Sequence, residues 1–484
     1  MAIKAHLKIL KKGALVWNKW RMEHPAITPD LSKQNIFKLG LGTVNFRRMD
    51  FRSVNFTQTY LHVLDLSLSD FRNANLSETN FTSSNLSKAD LRDATFKGTI
   101  FRLTDLSNAN LAGADLTKAE FEDTDLCGAN IAGADLRGVD LSGMDLSRAN
   151  LCNSDLRGSN LNGADLNGTN LSEANLSTID FRKVDLRTTN LSSAILHEAN
   201  LHGVDLRGTN LKSADLTKAD LSETRLGAAN LRGSNLRGAN LINADFTRAN
   251  LSGADIMGAS LIGTNLSEAN LNDVDLSAID FSHVIFSGVD FTSIDLSKLD
   301  LRKANLGGAN FSGVNLTGKN LSDADLRGAN LVKANLCEAN FNRANLEGSD
   351  LTGALLHRIM KYDWLIEGTK CDYIFCDKKG KIPFPQNRNF KTGEFERLFK
   401  EMPTIQIVFE LGVSPLDVFI MDQVVQAINE RRPELELRIE SFDSRGQPHV
   451  NFTVLHHAYC EEALQSEIKT AYEAQIAKPE KDPV

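Results

Sequence analysis

No run of about 18 apolar residues occurs anywhere in this 484-residue chain, so no helix in it is built to span a bilayer. The first twenty residues, MAIKAHLKILKKGALVWNKW, carry lysines but neither an uninterrupted apolar segment nor a small-residue cleavage site, which argues against a secretory signal. Cysteine is sparse: Cys127, Cys152, Cys337, Cys371, Cys376 and Cys460 follow no framework spacing, so a reducing, cytoplasmic setting is expected. Cys371 and Cys376 lie five apart without a second ligand pair, which disfavours zinc. A Gly-rich phosphate loop, HExxH, GxSxG and paired-Cys motifs are all missing. His456, His457 and Cys460 cluster at an expected strand end and read as incidental polar residues. The expectation is therefore no enzyme, no cofactor and no metal.

Charge is unevenly placed. Residues 1–30 hold six Lys+Arg against two Asp+Glu, residues 31–356 hold 31 against 39, and the whole chain is at −8. The long middle is mildly acidic and offers no basic groove for direct nucleic-acid binding.

Aromatics are few, whereas Asn, Asp, Leu, Ala, Ser and Gly abound, and their order is periodic. From Leu31 to Leu356 every fifth residue is Leu, Phe or Ile, 66 positions without insertion or deletion. The residue before is Asp or Asn in 56 of the 66, and the residue before that is mostly small. Five is not a helical period, but small, polar, large is the alternation of an extended segment. Each A-(D/N)-L-x-x phrase reads as a very short strand with the small residue and Leu inward, Asp or Asn outward, and a two-residue corner. Stacking such phrases would pile the leucines into a continuous core.

In this pattern the chain resembles the pentapeptide repeat family. The resemblance implies a mainly β fold, a right-handed quadrilateral β-helix with four phrases, or 20 residues, per coil. It also implies about 16 coils, and at about 4.8 Å each a rod on the order of 80 Å.

A 20-residue period is also written in the sequence itself. Every twentieth residue from Asn110 to Asn270 is Asn, nine in succession. The neighbouring column reads Asp105, Asp125, Asp145, Asp165, Asp185, Asp205, Arg225, Asp245. Stacked Asn side chains can donate and accept along the ladder, while stacked carboxylates repel. Arg225 is expected to relieve that repulsion. The candidate interaction surface is the acidic column of Asp105, Asp125, Asp145, Asp165, Asp185, Asp205 and Asp245, facing a protein partner with a basic surface. A small apolar spot of Ile242, Met257 and Ile262 joins it as a second candidate. Lys319 occupies an inward small slot and is expected to escape to solvent through a bulge. Larger residues fill the small slot from Val274 to Leu299, so a reshaped core is expected there.

The ends read differently. Ile3, Leu7, Leu10, Ala14 and Trp17 form one stripe, predicting an amphipathic helix over 3–17 within an N-terminal cap, 1–30, that covers the first coil with Trp17 and Trp20. Peripheral membrane contact through its lysines is the weaker alternative. The repeat is expected to span 31–356, followed by a connector, 357–400. A small α+β domain, 401–478, in βαββα order comes next, with SRGQP as a hairpin turn and 479–484 as a tail. That domain resembles tails appended to some cyanobacterial pentapeptide proteins. The function expected is a non-catalytic protein–protein interaction scaffold. The alternative is an acidic DNA mimic acting on a DNA-binding enzyme such as a type II topoisomerase, with activity in the C-terminal domain a more distant reading.

Overall fold

The computed structural model describes residues 4–36, 38–39, 44–277, 283–400, 404–408, 415–432, 437–443, 449–453 and 461–476. It divides into two units, Met1–Leu365 with Asp372–Gln386, and Ile366–Cys371 with Asn387–Val484.

The first unit is a coil. Single outward residues 20 apart pair in parallel, as in Asp105↔Asp125, Asn130↔Asn150 and Asp325↔Asn345. Each phrase works as its alternation predicts. Leucine and phenylalanine slots are buried, and phenylalanines stack through successive coils, with Phe81, Phe101 and Phe121 at centroid spacings of 5.5 and 5.3 Å. Threonines in the small slot remain satisfied, since Thr79 Oγ1 donates to the Phe56 carbonyl at 2.9 Å. The last residue of the phrase takes a left-handed backbone, which explains its frequent glycine. At Gly128, φ is 64° and a Cβ would stand 2.9 Å from Asn108 Oδ1.

Two boundaries differ from the sequence expectation. Asp30 pairs with Asn55 and Asn35 with Tyr60, a step of 25, before Asp50↔Asp70 sets the step of 20. One whole phrase is therefore extra in the first turn, and the five-residue rhythm hides it because side chains stay in phase. The coil also does not stop at Leu356: Asn340↔Met360, Asn345↔Leu365 and Leu355↔Phe375 continue it. Outward Asp and Asn give way there to Leu355, Met360 and Leu365, so the consensus fades while the backbone persists. A hairpin of β1 (Ile374–Phe375) and β2 (Pro383–Phe384) ends this unit.

The expected single N-terminal helix is two, α1 (Lys4–Leu10) and α2 (Ala14–Glu23), separated at Gly13 with φ 83°. Leu10 and Trp17 of the stripe are buried, Leu7 and Ala14 are half-buried, and Ile3 lies outside the described residues. Side chains of α2 take up the backbone groups of the first coils. Trp17 Nε1 donates to the Asp50 carbonyl at 2.8 Å, and Arg21 donates to the Ile27 and Arg52 carbonyls at 2.9 and 2.7 Å.

The second unit holds α3 (Glu394–Lys400), β3 (Thr404–Val408), α4 (Pro415–Arg431), β4 (Arg438–Asp443), β5 (His449–Thr453) and α5 (Glu461–Ile476). Its sheet order is β3-β5-β4 with both pairings antiparallel, the order of a split βαβ motif. Met421, Val424, Ile428, Val450, Phe452, Leu464 and Ile468 form its core. The SRGQP turn at 444–448, the tail at 479–484, and His456, His457 and Cys460 lie outside the described residues.

Candidate functional surface

The outward Asp and Asn do one job in common. Oδ1 accepts the backbone N–H two residues on, closing the corner: Ser107 N–H to Asp105 and Cys127 N–H to Asp125 at 2.8 Å, Asn167 N–H to Asp165 at 2.9 Å, Ser172 N–H to Asn170 at 3.2 Å. This is the Asx geometry, which either residue supplies.

They differ in what else they reach. Asn130 Nδ2 donates to Asn110 Oδ1 at 3.1 Å. The same bond then runs through Asn150, Asn170, Asn190, Asn210 and Asn230, at 3.0–3.3 Å. A carboxylate has no such donor, and at several positions on the coil an arginine of its own phrase neutralises it. Arg52, Arg72 and Arg92 pair with Asp50, Asp70 and Asp90 at 2.8, 2.6 and 2.7 Å, and Arg137 and Arg157 pair with Asp135 and Asp155 at 2.6 Å. The Arg137 hydrogen bonds hold the Asp135 carboxyl below its usual range, and Arg157 does the same for Asp155. The sequence signal for these pairs is the tripeptide D-(L/F)-R, which a reading of the Asp/Asn slot alone passes over.

The candidate column divides accordingly. Asp185 and Asp205 are paired with Arg187 and Arg207 at 2.6 and 2.7 Å, and those hydrogen bonds lower both carboxyls. Arg225 stacks between Asp205 and Asp245, one ladder step from each, and forms no direct ion pair with either among the described residues. Asp245 turns its carboxylate to the Thr247 N–H at 3.0 Å. The remaining four, Asp105, Asp125, Asp145 and Asp165, stack in unbroken parallel pairs and have no ion-pair partner among the described residues. At Asp165 the ladder opens: no backbone pairing joins Asp165, Asp185 and Asp205, and a notch of about 400 Å³ lies among Asp165, Asn167, Asp185, Arg187 and Thr188. Thr188 Oγ1 bridges it, accepting from the Gly168 N–H at 2.9 Å and donating to Asn167 Oδ1 at 2.8 Å.

The apolar candidates are placed as their spacing implies. The Asn243 N–H bonds the Ile262 carbonyl, stacking the corners of Ile242 and Ile262, with Met257 on the adjoining corner. Ile262 and Met257 are about half exposed and Ile242 less so. The Met257 sulfur accepts from Arg237 Nη2 at 3.1 Å, which ties it into the polar surface.

Lys319 lies half-buried where the ladder is interrupted. Its ammonium reaches the exposed surface, as expected, but is not left free there: it reaches back one coil, donating to the Ser297 carbonyl at 2.6 Å with the Leu299 carbonyl at 3.5 Å. Asp275, Asp295 and Asp300 make no ladder pair among the described residues, so the stretch with large residues in the small slot is reshaped. Ile279 of that run lies outside the described residues. Among the described residues no group of three His, Cys, Asp or Glu is arranged to hold a metal. No helix among the described residues is long and apolar enough to cross a membrane.

The family model described as pentapeptide repeats matches successive stretches from 65–102 to 320–358. Among solved structures, HetL of the cyanobacterium Nostoc sp. strain PCC 7120, a pentapeptide repeat protein involved in heterocyst differentiation regulation, is 30% identical. That match covers 52% of this chain and 94% of HetL, with a TM-score of 0.16. Rfr23 of the cyanobacterium Cyanothece 51142 is 30% identical over 25% of this chain and 88% of its own, TM-score 0.13. QnrB1, a plasmid-mediated fluoroquinolone resistance protein, is 20% identical over 47% and 91%, TM-score 0.19. A search of curated proteins gave no match.

Proposed function

The chain belongs to the pentapeptide repeat family, whose members fold as right-handed quadrilateral β-helices, and we propose that it is a non-catalytic protein–protein interaction scaffold. The observation that carries this reading is the unbroken stack of Asp105, Asp125, Asp145 and Asp165, four successive carboxylates with no ion-pair partner among the described residues, whereas stacked pairs such as Asp70 with Asp90 and Asp135 with Asp155 carry arginines of their own phrases. Each already uses Oδ1 on its corner, so Oδ2 remains to meet a basic partner. A rigid column at one coil spacing suits a lysine- or arginine-bearing surface, with recognition that weakens as salt rises. The paired arginines along the other columns withdraw support from a continuous DNA-like acidic face.

The test uses the full chain and its variant Asp105→Asn, Asp125→Asn, Asp145→Asn, Asp165→Asn, which keeps every corner acceptor. Titration with a lysine-rich peptide, and capture of partners at low and high salt, should show salt-sensitive binding by the native chain that the variant loses. Equal binding by both proteins would refute the acidic-column reading.

A further inference from the structure

Helix α2 spends one side on the coil and leaves the other exposed. Trp17, Asn18 and Arg21 face the coil and bond its backbone. On the opposite side Leu15 is 89% exposed and Met22 is 74% exposed, seven residues apart on one helical face with exposed Lys19 between them. Lys8, Lys11 and Lys12 are exposed just ahead of them, and Val16 adjoins at 41% exposure. A lone exposed leucine is ordinary, but two large apolar side chains standing clear on one helical face, with a lysine between them and three more exposed in the residues just ahead, are a specific pairing of chemistries.

Charge indicates what covers that face. Residues 1–30 are net positive, whereas the repeat behind them is net negative and carries the unpaired Asp105–Asp165 column. An anionic surface would attract this end of the coil and repel its flank.

We propose that the outward face of α1 and α2 docks on an anionic lipid surface. Lys8, Lys11, Lys12 and Lys19 meet the headgroup phosphates, and Leu15 and Met22 enter the interfacial layer. The plug residues Trp17, Asn18 and Arg21 stay on the coil, so docking needs no unfolding of the cap. The helices, of 7 and 10 residues, lie on the surface and do not cross it.

The experiment is co-sedimentation of the full chain with phosphatidylcholine vesicles and with vesicles containing phosphatidylglycerol. Association is expected with the anionic vesicles alone and should fall as salt rises. The variant Lys8→Gln, Lys11→Gln, Lys12→Gln should weaken it on the order of a hundredfold, at about fivefold per lysine. Leu15→Ser with Met22→Ser should weaken it further, while unchanged tryptophan fluorescence shows that the cap is intact. Absence of binding to anionic vesicles at low salt overturns the proposal, as does binding that survives both variants. Equal competition by soluble polyglutamate with no effect of the Leu15 and Met22 changes also overturns it, and reassigns the face to an acidic protein.

Discussion

The carboxamide of Asn18 takes the place of a strand beside Asp50. Its Oδ1 accepts the Asp50 N–H at 2.8 Å, the bond a carbonyl of a preceding coil would otherwise make, and its Nδ2 donates to the Arg48 carbonyl at 2.8 Å. An open strand end is a template for further pairing, so this side chain closes the coil as well as attaching the helix. Asn18→Ala should cost about 1–3 kcal/mol by leaving the Asp50 N–H without a partner. Denaturant titration followed by tryptophan fluorescence would read the loss. Size-exclusion chromatography should show the variant associating as concentration rises, and a strictly monomer-like profile with native stability would contradict this role.

Asn170 and Asp165 sit on neighbouring columns and should answer opposite substitutions unequally. Asp165→Asn keeps the Oδ1 acceptor for Asn167 and should change stability by less than about 0.5 kcal/mol. Asn170→Asp keeps the acceptor for Ser172 but loses the donor to Asn150 Oδ1, and sets a carboxylate oxygen against that oxygen. A loss of about 1 kcal/mol is expected. Thermal unfolding of the two variants side by side checks the asymmetry, and equal shifts would mean that the columns are interchangeable.

The coil was legible in the sequence because its rule is local. A small residue, an Asp or Asn and a leucine repeat every five residues, and the Asn run from Asn110 to Asn270 marks the 20-residue step. What escaped was whatever leaves that rhythm intact. The extra phrase before Asp50 shifts pairing to Asp30↔Asn55 without moving any leucine out of phase. The coils beyond Leu356 keep the backbone after Leu355, Met360 and Leu365 have replaced the consensus polar residue. The break at Gly13 is a matter of one glycine's φ, and a stripe of Leu10, Ala14 and Trp17 reads straight across it. On the surface, stacking showed which aspartates are neighbours. Which of them are neutralised depends on the residue two places on, so the seven-residue column reduces to five members without an ion pair, four of them in unbroken succession.

Lys319 should behave as a structural donor. Its ammonium serves the Ser297 carbonyl where the local ladder is interrupted, beside a notch of about 470 Å³. Lys319→Met keeps the length of the side chain and removes the donor, at an expected cost of about 1–2 kcal/mol. Hydrogen exchange should quicken around residues 297–302 and 317–320, with little change near Asn130. Lys319→Arg retains donors and should recover most of the protection. Unaltered exchange in Lys319→Met would assign the lysine no part in holding these coils together.

His6 gives the N-terminal cap a pH dependence of definite sign. Burial pushes its pKa below the usual 6.5, opposed by the backbone hydrogen bond and the charge of Asp30, while Arg21 adds to the lowering. Nδ1 accepts the Asp30 N–H at 3.2 Å, so the neutral ring is the form that fits. Because the folded value lies below the unfolded one, the unfolded cap binds the proton more readily. The stability His6 provides is complete above about pH 6.5 and is lost as pH falls through the lowered folded pKa. Asp30 at the end of the cap and Asp50 of the coil it covers are themselves held below 3.8 and stay ionised through the upper part of that fall. Tryptophan fluorescence during denaturation at pH 7.5 and pH 5, conditions about one unit or more either side of the free imidazole value, should show the cap weakening at the lower pH. His6→Gln, which cannot take up the proton, should flatten that difference, and an undiminished pH effect in this variant would place its origin elsewhere.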